Sequence, residues 1–184
     1  MKEKIKKKRN KAPKQKDIVE VVNQIVDEVN RILRDKEKEK YFYGLTLLYS
    51  FTENLLRHMS FIDTIWKQSE EGEISDELIE EFRDYYFDKL NFYGIIEKVY
   101  DKKLIKKSLK VKLQELRKQR NDFIHQCWLY VQRNDGRYLR KELIGVVDIV
   151  NSLVERFNRM AEETGVLDLY HPSDLTKQEW IVKG

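Results

Sequence analysis

Glycine, proline and cysteine are scarce in this 184-residue chain, which contains seven Gly, two Pro and one Cys. Glycine and proline make the tight turns of sandwiches, barrels and doubly wound sheets, so their scarcity argues against those folds. A single cysteine excludes an internal disulfide and a cysteine-based zinc site, and three scattered histidines argue against a zinc enzyme. We therefore expect neither a metal ion nor another cofactor.

Long apolar runs are also absent. No segment approaches the roughly 18 uninterrupted apolar residues of a membrane span. The N-terminal segment lacks the apolar core of a signal peptide. These absences predict a cytoplasmic protein that has no membrane partner.

Charge is distributed unevenly along the chain. Residues 1–16 contain nine Lys or Arg and a single acid, a net charge of +8, whereas the whole chain carries +4 and residues 17–184 therefore carry −4. Such a basic segment is typically a disordered tail or an arm that contacts anionic partners. Two interpretations stay open: a solubilising tail, or an RNA-binding arm with strongly salt-dependent affinity.

Helical periodicity runs through the rest of the chain. Apolar residues recur at alternating steps of three and four, which indicates helices with one core-facing stripe. The clearest stripe consists of Leu139, Leu143, Val146, Val150, Leu153, Phe157 and Met160. The pattern predicts an all-α fold, an up-down bundle of about four or five long helices with a short extra helix. We assign residues 1–16 to the basic tail, 17–165 to the bundle and 166–184 to an irregular C-terminal tail.

One arginine interrupts the apolar stripe of a long helix predicted over residues 103–131. The stripe is formed by Leu109, Leu113, Leu116, Arg120, Ile124 and Cys127. A guanidinium on a buried face is costly unless an anion meets it. Arg120 therefore predicts either an internal salt bridge to a neighbouring helix or a phosphate site, which the planar fork of arginine suits.

His125 follows Arg120 by five residues. Histidine titrates near neutral pH and transfers protons, while arginine stabilises charge that builds on a phosphate. Together they suit RNA cleavage without a metal, in which the substrate's 2′-hydroxyl attacks the adjacent phosphorus. Arg, then Asn121, then His at this spacing is expected by chance about 0.03 times in this composition.

An all-α domain of this size with the Arg120-Asn121-x-x-x-His125 pattern resembles the HEPN superfamily. The resemblance covers residues 17–165 and depends mainly on this motif. It implies a metal-independent endoribonuclease with Arg120, His125 and Asn121 as its catalytic residues. It further implies a toxin or effector of a toxin–antitoxin or antiviral defence module, with RNA as substrate and an antitoxin or a defence complex as partner.

The resemblance also implies a homodimer in which two motifs form one cleft. That arrangement addresses a geometric problem, because residues five apart point about 140° away from each other on an ideal helix. Trp128, on the opposite side of the helix from Arg120, suggests a dimer interface near the motif. Some toxins of the group carry a Tyr, modified with adenylate by the antitoxin, two residues after the His. Cys127 stands there, so this sequence departs from that pattern.

Helices that precede the motif helix in the family often carry an acidic residue followed four residues later by a basic one. Glu53 and Arg57 fit this pattern loosely, and their spacing places them on one helical face. We favour a surface salt bridge for this pair over an accessory functional role. Aromatic residues 85–93 are interpreted as packing rather than base-stacking groups, and the lysines of residues 102–110 as a solvated face that would also steer RNA.

The alternative to an enzyme is a non-catalytic HEPN-like scaffold or a binding subunit of a larger complex, anchored by the basic tail. In that case Arg120 would be a structural ion-pair partner. Fold alone does not distinguish these functions.

Overall fold

The computed structural model describes residues 15–36, 40–126 and 136–164, with side chains described from Gln24 to Met160 and at residues 163 and 164. The two predicted tails lie almost entirely outside these ranges. The first helix begins at Gln15, one residue before the predicted end of the basic tail.

Six α helices and one π-helical turn make up the described part of the chain, which contains no strand. In chain order they are α1 (Gln15–Asp35), α2 (Tyr41–Glu71), α3 (Asp76–Asp84), the π turn (Tyr85–Lys89), α4 (Phe92–Asp101), α5 (Lys107–His125) and α6 (Gly136–Thr164). The all-α prediction is confirmed. The helix predicted from residue 103 begins four residues later, after a turn in which Lys103 has a φ of 60°.

Local capping explains where the short helices begin. Ser75 caps α3, since its hydroxyl accepts a hydrogen bond from the amide of Leu78 at 3.3 Å. Asn91 caps α4 in the same way, accepting from the amide of Gly94 at 2.8 Å. This second cap follows the π turn directly, so the chain reverses within a few residues and places α4 against α2.

The four long helices alternate in direction. Gly44, near the start of α2, lies against Leu143, near the start of α6, where an added Cβ would be 3.3 Å from the leucine methyl groups. The absence of a side chain at Gly44 allows the starts of α2 and α6 to approach closely, and because the two starts are adjacent the helices run side by side in the same direction. Phe123, near the end of α5, stacks on Phe42 at the start of α2, with ring centroids 4.3 Å apart. Hence α5 is antiparallel to α2, and α1, α2, α5 and α6 form an up-down bundle.

The apolar stripes form one core, with α2 at its centre. All seven residues of the α6 stripe are buried, as predicted. On α5 the prediction fails at one position. Ile124 is 53% exposed, and Phe123 is buried instead, because after Arg120 the core-facing position falls three residues on rather than four.

Candidate functional site

Glu53 and Arg57 form an ion pair on the face of α2 that meets the π turn. Arg57 Nη2 donates to Glu53 Oε1 at 2.5 Å, and the two side chains are only 10% and 14% exposed. Arg57 Nη1 also donates to the backbone carbonyls of Tyr86 and Phe87. These carbonyls lie in the π turn, at the end of a helical segment, where no backbone amide donates to them. The guanidinium satisfies them instead and is attracted by the helix dipole.

Arg120 reaches the same carboxylate from α5. Its Nη2 lies 3.2 Å from Glu53 Oε2, and its guanidinium carbon lies 5.5 Å from the ring centre of Phe92. Glu53 thus joins two arginines, one through each oxygen. We call Glu53, Arg57 and Arg120 the triad. Its net charge is +1, and Arg120, with 29% of its side chain exposed, is its most accessible member.

The triad corrects the interpretation of Glu53 and Arg57 as a surface pair. Both are largely buried, because α4, α5 and the π turn close over this face of α2. The inward direction of Arg120 agrees with its place in the α5 stripe. The acid of the predicted internal salt bridge is Glu53, so the structure brings three of the five candidate residues into direct contact.

His125 is not brought into that group. The α-helical pattern continues through the motif, and the amide of Gln126 donates to the carbonyl of Asp122 at 2.9 Å. In a regular helix the side chains of Arg120 and His125 diverge by about 140°. Arg120 accordingly points to α2, whereas His125 is exposed, and Asn121 between them is half-buried.

A second polar network, not expected from the sequence, holds the π turn from the other side. Lys102 Nζ donates to Asp63 Oδ2 at 2.7 Å and to Thr64 Oγ1 at 2.6 Å. The Tyr86 hydroxyl lies 2.7 Å from the same Thr64 oxygen. Lys102 is only 16% exposed, which contradicts its assignment to a solvated lysine face. Tyr86 links this network to the triad through its backbone carbonyl, so both networks fix the segment that carries Phe92.

A cation–π pair with an exposed aromatic ring borders the triad. Arg117 lies one turn before Arg120, with its guanidinium carbon 5.3 Å from the ring centre of Tyr93. Tyr93 is 51% exposed, whereas Tyr86 and Phe92 are buried. The packing interpretation of the aromatic segment therefore holds for Tyr86 and Phe92 but not for Tyr85 and Tyr93, which are both exposed. The three-residue spacing of Arg117 and Arg120 is the sequence signal that identifies Arg117.

Cys127 and Trp128 lie outside the described residues, as does the predicted continuation of the motif helix to residue 131. Within the described ranges, no three His, Cys, Asp or Glu side chains are grouped so as to hold a metal ion. None of the helices described is long and apolar enough to cross a membrane.

Comparison with known proteins gives no relative for this chain. No protein-family model matches it, and no curated protein or solved structure shows significant similarity to it. Functional inference therefore depends on the residues and their geometry.

The pH dependence of stability tests the packing around His58, the residue that follows Arg57. Its Nδ1 lies 2.8 Å from the carbonyl of Asn54, and burial lowers the pKa of its imidazole below the ordinary 6.5. Below the ordinary pKa, the unfolded chain binds a proton at His58 more readily than the folded chain, so acidification favours unfolding. We expect the melting temperature of His58→Gln to fall less than that of wild type between about pH 7.5 and about pH 5.5.

The matched control is His125→Gln, which alters an exposed imidazole on α5. It should retain the wild-type pH dependence of the melting temperature. An unchanged pH dependence in His58→Gln would contradict a lowered pKa at that site.

Proposed function

We propose that this chain is a metal-independent endoribonuclease of HEPN type, acting as the toxin or effector of a defence or toxin–antitoxin module. Arg120 would bind the scissile phosphate and stabilise its developing charge, and His125 would transfer the proton. The substrate's 2′-hydroxyl is the nucleophile, so no protein nucleophile is needed. The bond from phosphorus to the 5′-oxygen of the next nucleotide breaks, and that oxygen takes up a proton and leaves as a 5′-hydroxyl. Asn121, on the helix between them, would orient the substrate as a hydrogen-bonding partner.

The observation that carries the proposal is that Arg120 is held in position and yet partly accessible. Its guanidinium is positioned by Glu53 through one nitrogen, Nη2, while 29% of the side chain stays accessible. The triad keeps a net positive charge, which favours an incoming phosphate in a partly desolvated setting. Glu53 and Arg57 are thus positioning residues for Arg120. The exposed ring of Tyr93 and the neighbouring Arg117 offer a stacking group and a cation for the RNA strand.

The divergence of Arg120 and His125 supports a composite site in a homodimer. In one chain the side chains of Arg120 and His125 point in different directions. The simplest way for both kinds of side chain to contact one phosphate is that a second copy of the chain supplies one of them. Ile124, directly before His125, and Tyr43 are large apolar side chains exposed by 53% and 50%. Apolar groups of this kind are suited to a two-fold interface beside the motif.

The proposal predicts a specific reaction. Cleavage of RNA should persist in EDTA and leave 2′,3′-cyclic phosphate ends, because the chemistry uses the 2′-hydroxyl and no metal. An oligonucleotide with a single 2′-deoxy substitution at the cut site should resist cleavage there, while its other sites are cut normally. The products are read by mass spectrometry. Cleavage that stops in EDTA, or that proceeds at the 2′-deoxy position, would contradict this mechanism.

A second candidate function is a non-catalytic scaffold or binding subunit of a larger complex. It is favoured by the ion pair between Arg120 and Glu53, since a purely structural arginine is expected to have such a partner. In this case the exposed His125 carries no chemistry, and substituting it should change neither stability nor binding. The two candidates differ most clearly in the stability of Arg120 variants.

A further inference from the structure

A second basic site lies at the other end of α5 from the triad. A pocket of about 470 Å³ opens between the start of α5 and the later part of α6. Its cationic lining consists of Lys103, Lys106, Lys112, Arg156 and Arg159. Fourteen residues of helix separate Lys106 from Arg120, which corresponds to about 21 Å. The pocket is therefore separate from the proposed RNA-cleaving site.

The lining of this pocket is positively charged, although the chain outside the basic N-terminal segment is negatively charged overall. The five cations face one lining acid, Glu155, a net charge of +4, although residues 17–184 together carry −4. Glu155 pairs with Arg159, since its carboxylate lies 3.9 Å from Arg159 Nη2, so it offsets one of the five cations. A concave surface lined by one sign of charge focuses the electrostatic potential and attracts ions of the opposite sign.

Arg156 is held in place at the pocket wall. Its Nε donates to the carbonyl of Leu104 at 2.8 Å, and Leu104 is itself buried. Its Nη1 lies 3.6 Å from the carboxylate of Glu163, which is outside the pocket lining, so Arg156 is also ion-paired. In contrast, Lys103, Lys106 and Lys112 form no ion pair with any residue that the structure describes. The pocket thus combines one pre-positioned guanidinium with three ammonium groups available to a ligand.

The start of α5 adds to the positive potential. Lys106 is the N-cap and provides no side-chain acceptor to the free amides of the first turn. Lysine at the positive end of a helix dipole is unfavourable, and an anion bound there removes the penalty. Ser108 places a hydroxyl in the same lining and Leu109 provides an apolar wall, whereas the hydroxyl of Ser152 donates to the carbonyl of Asp148 at 3.0 Å.

We propose that this pocket binds a small ligand carrying two or more phosphate groups. Several clustered cations match several phosphates rather than one carboxylate, and the volume is within the range of small-molecule pockets. The binding is independent of RNA cleavage, so it stands whether or not the chain is a nuclease.

The test is calorimetric titration of the full chain with inorganic pyrophosphate at low salt. We expect a saturable site whose affinity falls at least about 10-fold in the Lys106→Gln/Lys112→Gln double variant. The control is Lys89→Gln/Lys141→Gln, which removes two exposed lysines outside the pocket and should bind as wild type does. All variants keep the basic segment 1–16, so its contribution cancels.

Equal affinities in the two double variants, or no saturable binding by wild type, would overturn the proposal. Circular dichroism melting checks that both variants are folded. A short RNA without terminal phosphates is titrated in parallel. If the pocket variant weakened binding of that RNA and left pyrophosphate unaffected, the pocket would belong to an RNA interface, and the small-ligand assignment would be wrong.

Discussion

His125→Ala should slow RNA cleavage by roughly 100-fold or more, the usual scale for losing a general acid or base. The fold should be unaffected, because His125 is exposed at the end of α5 and substitutions at such positions change stability by about 0.5 kcal/mol or less. Arg120→Lys should also be inactive, since a point charge does not replace the bidentate fork of a guanidinium. Single-turnover cleavage of a defined RNA measures both effects.

A mixing experiment tests the composite site directly. Arg120→Ala and His125→Ala should each be inactive alone, whereas subunit exchange between them should restore cleavage, because the mixed dimer retains one intact Arg120 and one intact His125. Light scattering should report a two-chain mass for each protein. The matched control is Gln119→Ala, an exposed change on α5 that should retain full activity.

Two outcomes would argue against this site. Full activity of His125→Ala would remove the proton-transfer role of the imidazole. A single-chain mass at micromolar concentration, with an active wild type, would contradict the dimeric cleft and require both side chains to act within one copy.

Glu53→Gln should lower the free energy of unfolding by about 3 kcal/mol, near the lower end for breaking a buried ion pair. The substitution keeps the size of the side chain and one acceptor but removes the charge that two arginines share. The guanidinium groups of Arg57 and Arg120 would then face each other with no carboxylate between them, and Arg57 would keep only the carbonyls of the π turn as partners. Urea denaturation monitored by circular dichroism measures the change.

The control is Glu80→Gln, which removes an acid paired with Arg83 at the surface, where the two side chains are 61% and 42% exposed. That change should cost about 0.5 kcal/mol or less. Arg120→Ala should cost only about 1 kcal/mol, because Glu53 keeps its bond to Arg57.

The stability of Arg120→Ala also separates the two candidate functions. An arginine retained for binding a ligand contributes little to folding, whereas one retained as a structural partner contributes strongly. A loss of about 3 kcal/mol or more in Arg120→Ala, together with a wild type that cuts no RNA, would end the nuclease proposal.

The local sequence pattern was sufficient to predict the helices and the direction of most side chains on them. Steps of three and four residues select one face of a helix, so the α6 stripe and the inward position of Arg120 follow from sequence alone. The same holds for Ser75 as a cap, since capping involves only neighbouring residues. His125 likewise diverges from Arg120 by helical geometry, and the structure leaves it exposed.

The partners of the charged residues were decided by tertiary structure. Glu53 and Arg57 have the spacing of an ordinary surface pair, and only the approach of α5 and the π turn buries them and joins them to Arg120. Lys102 resembles its neighbouring lysines in sequence, yet the direction of α4 brings it to Asp63. Periodicity reports which face of a helix is buried, but not which helix covers it. Contacts between residues far apart in the chain depend on how all the helices pack at once, so the triad and the basic pocket emerge only in the assembled bundle.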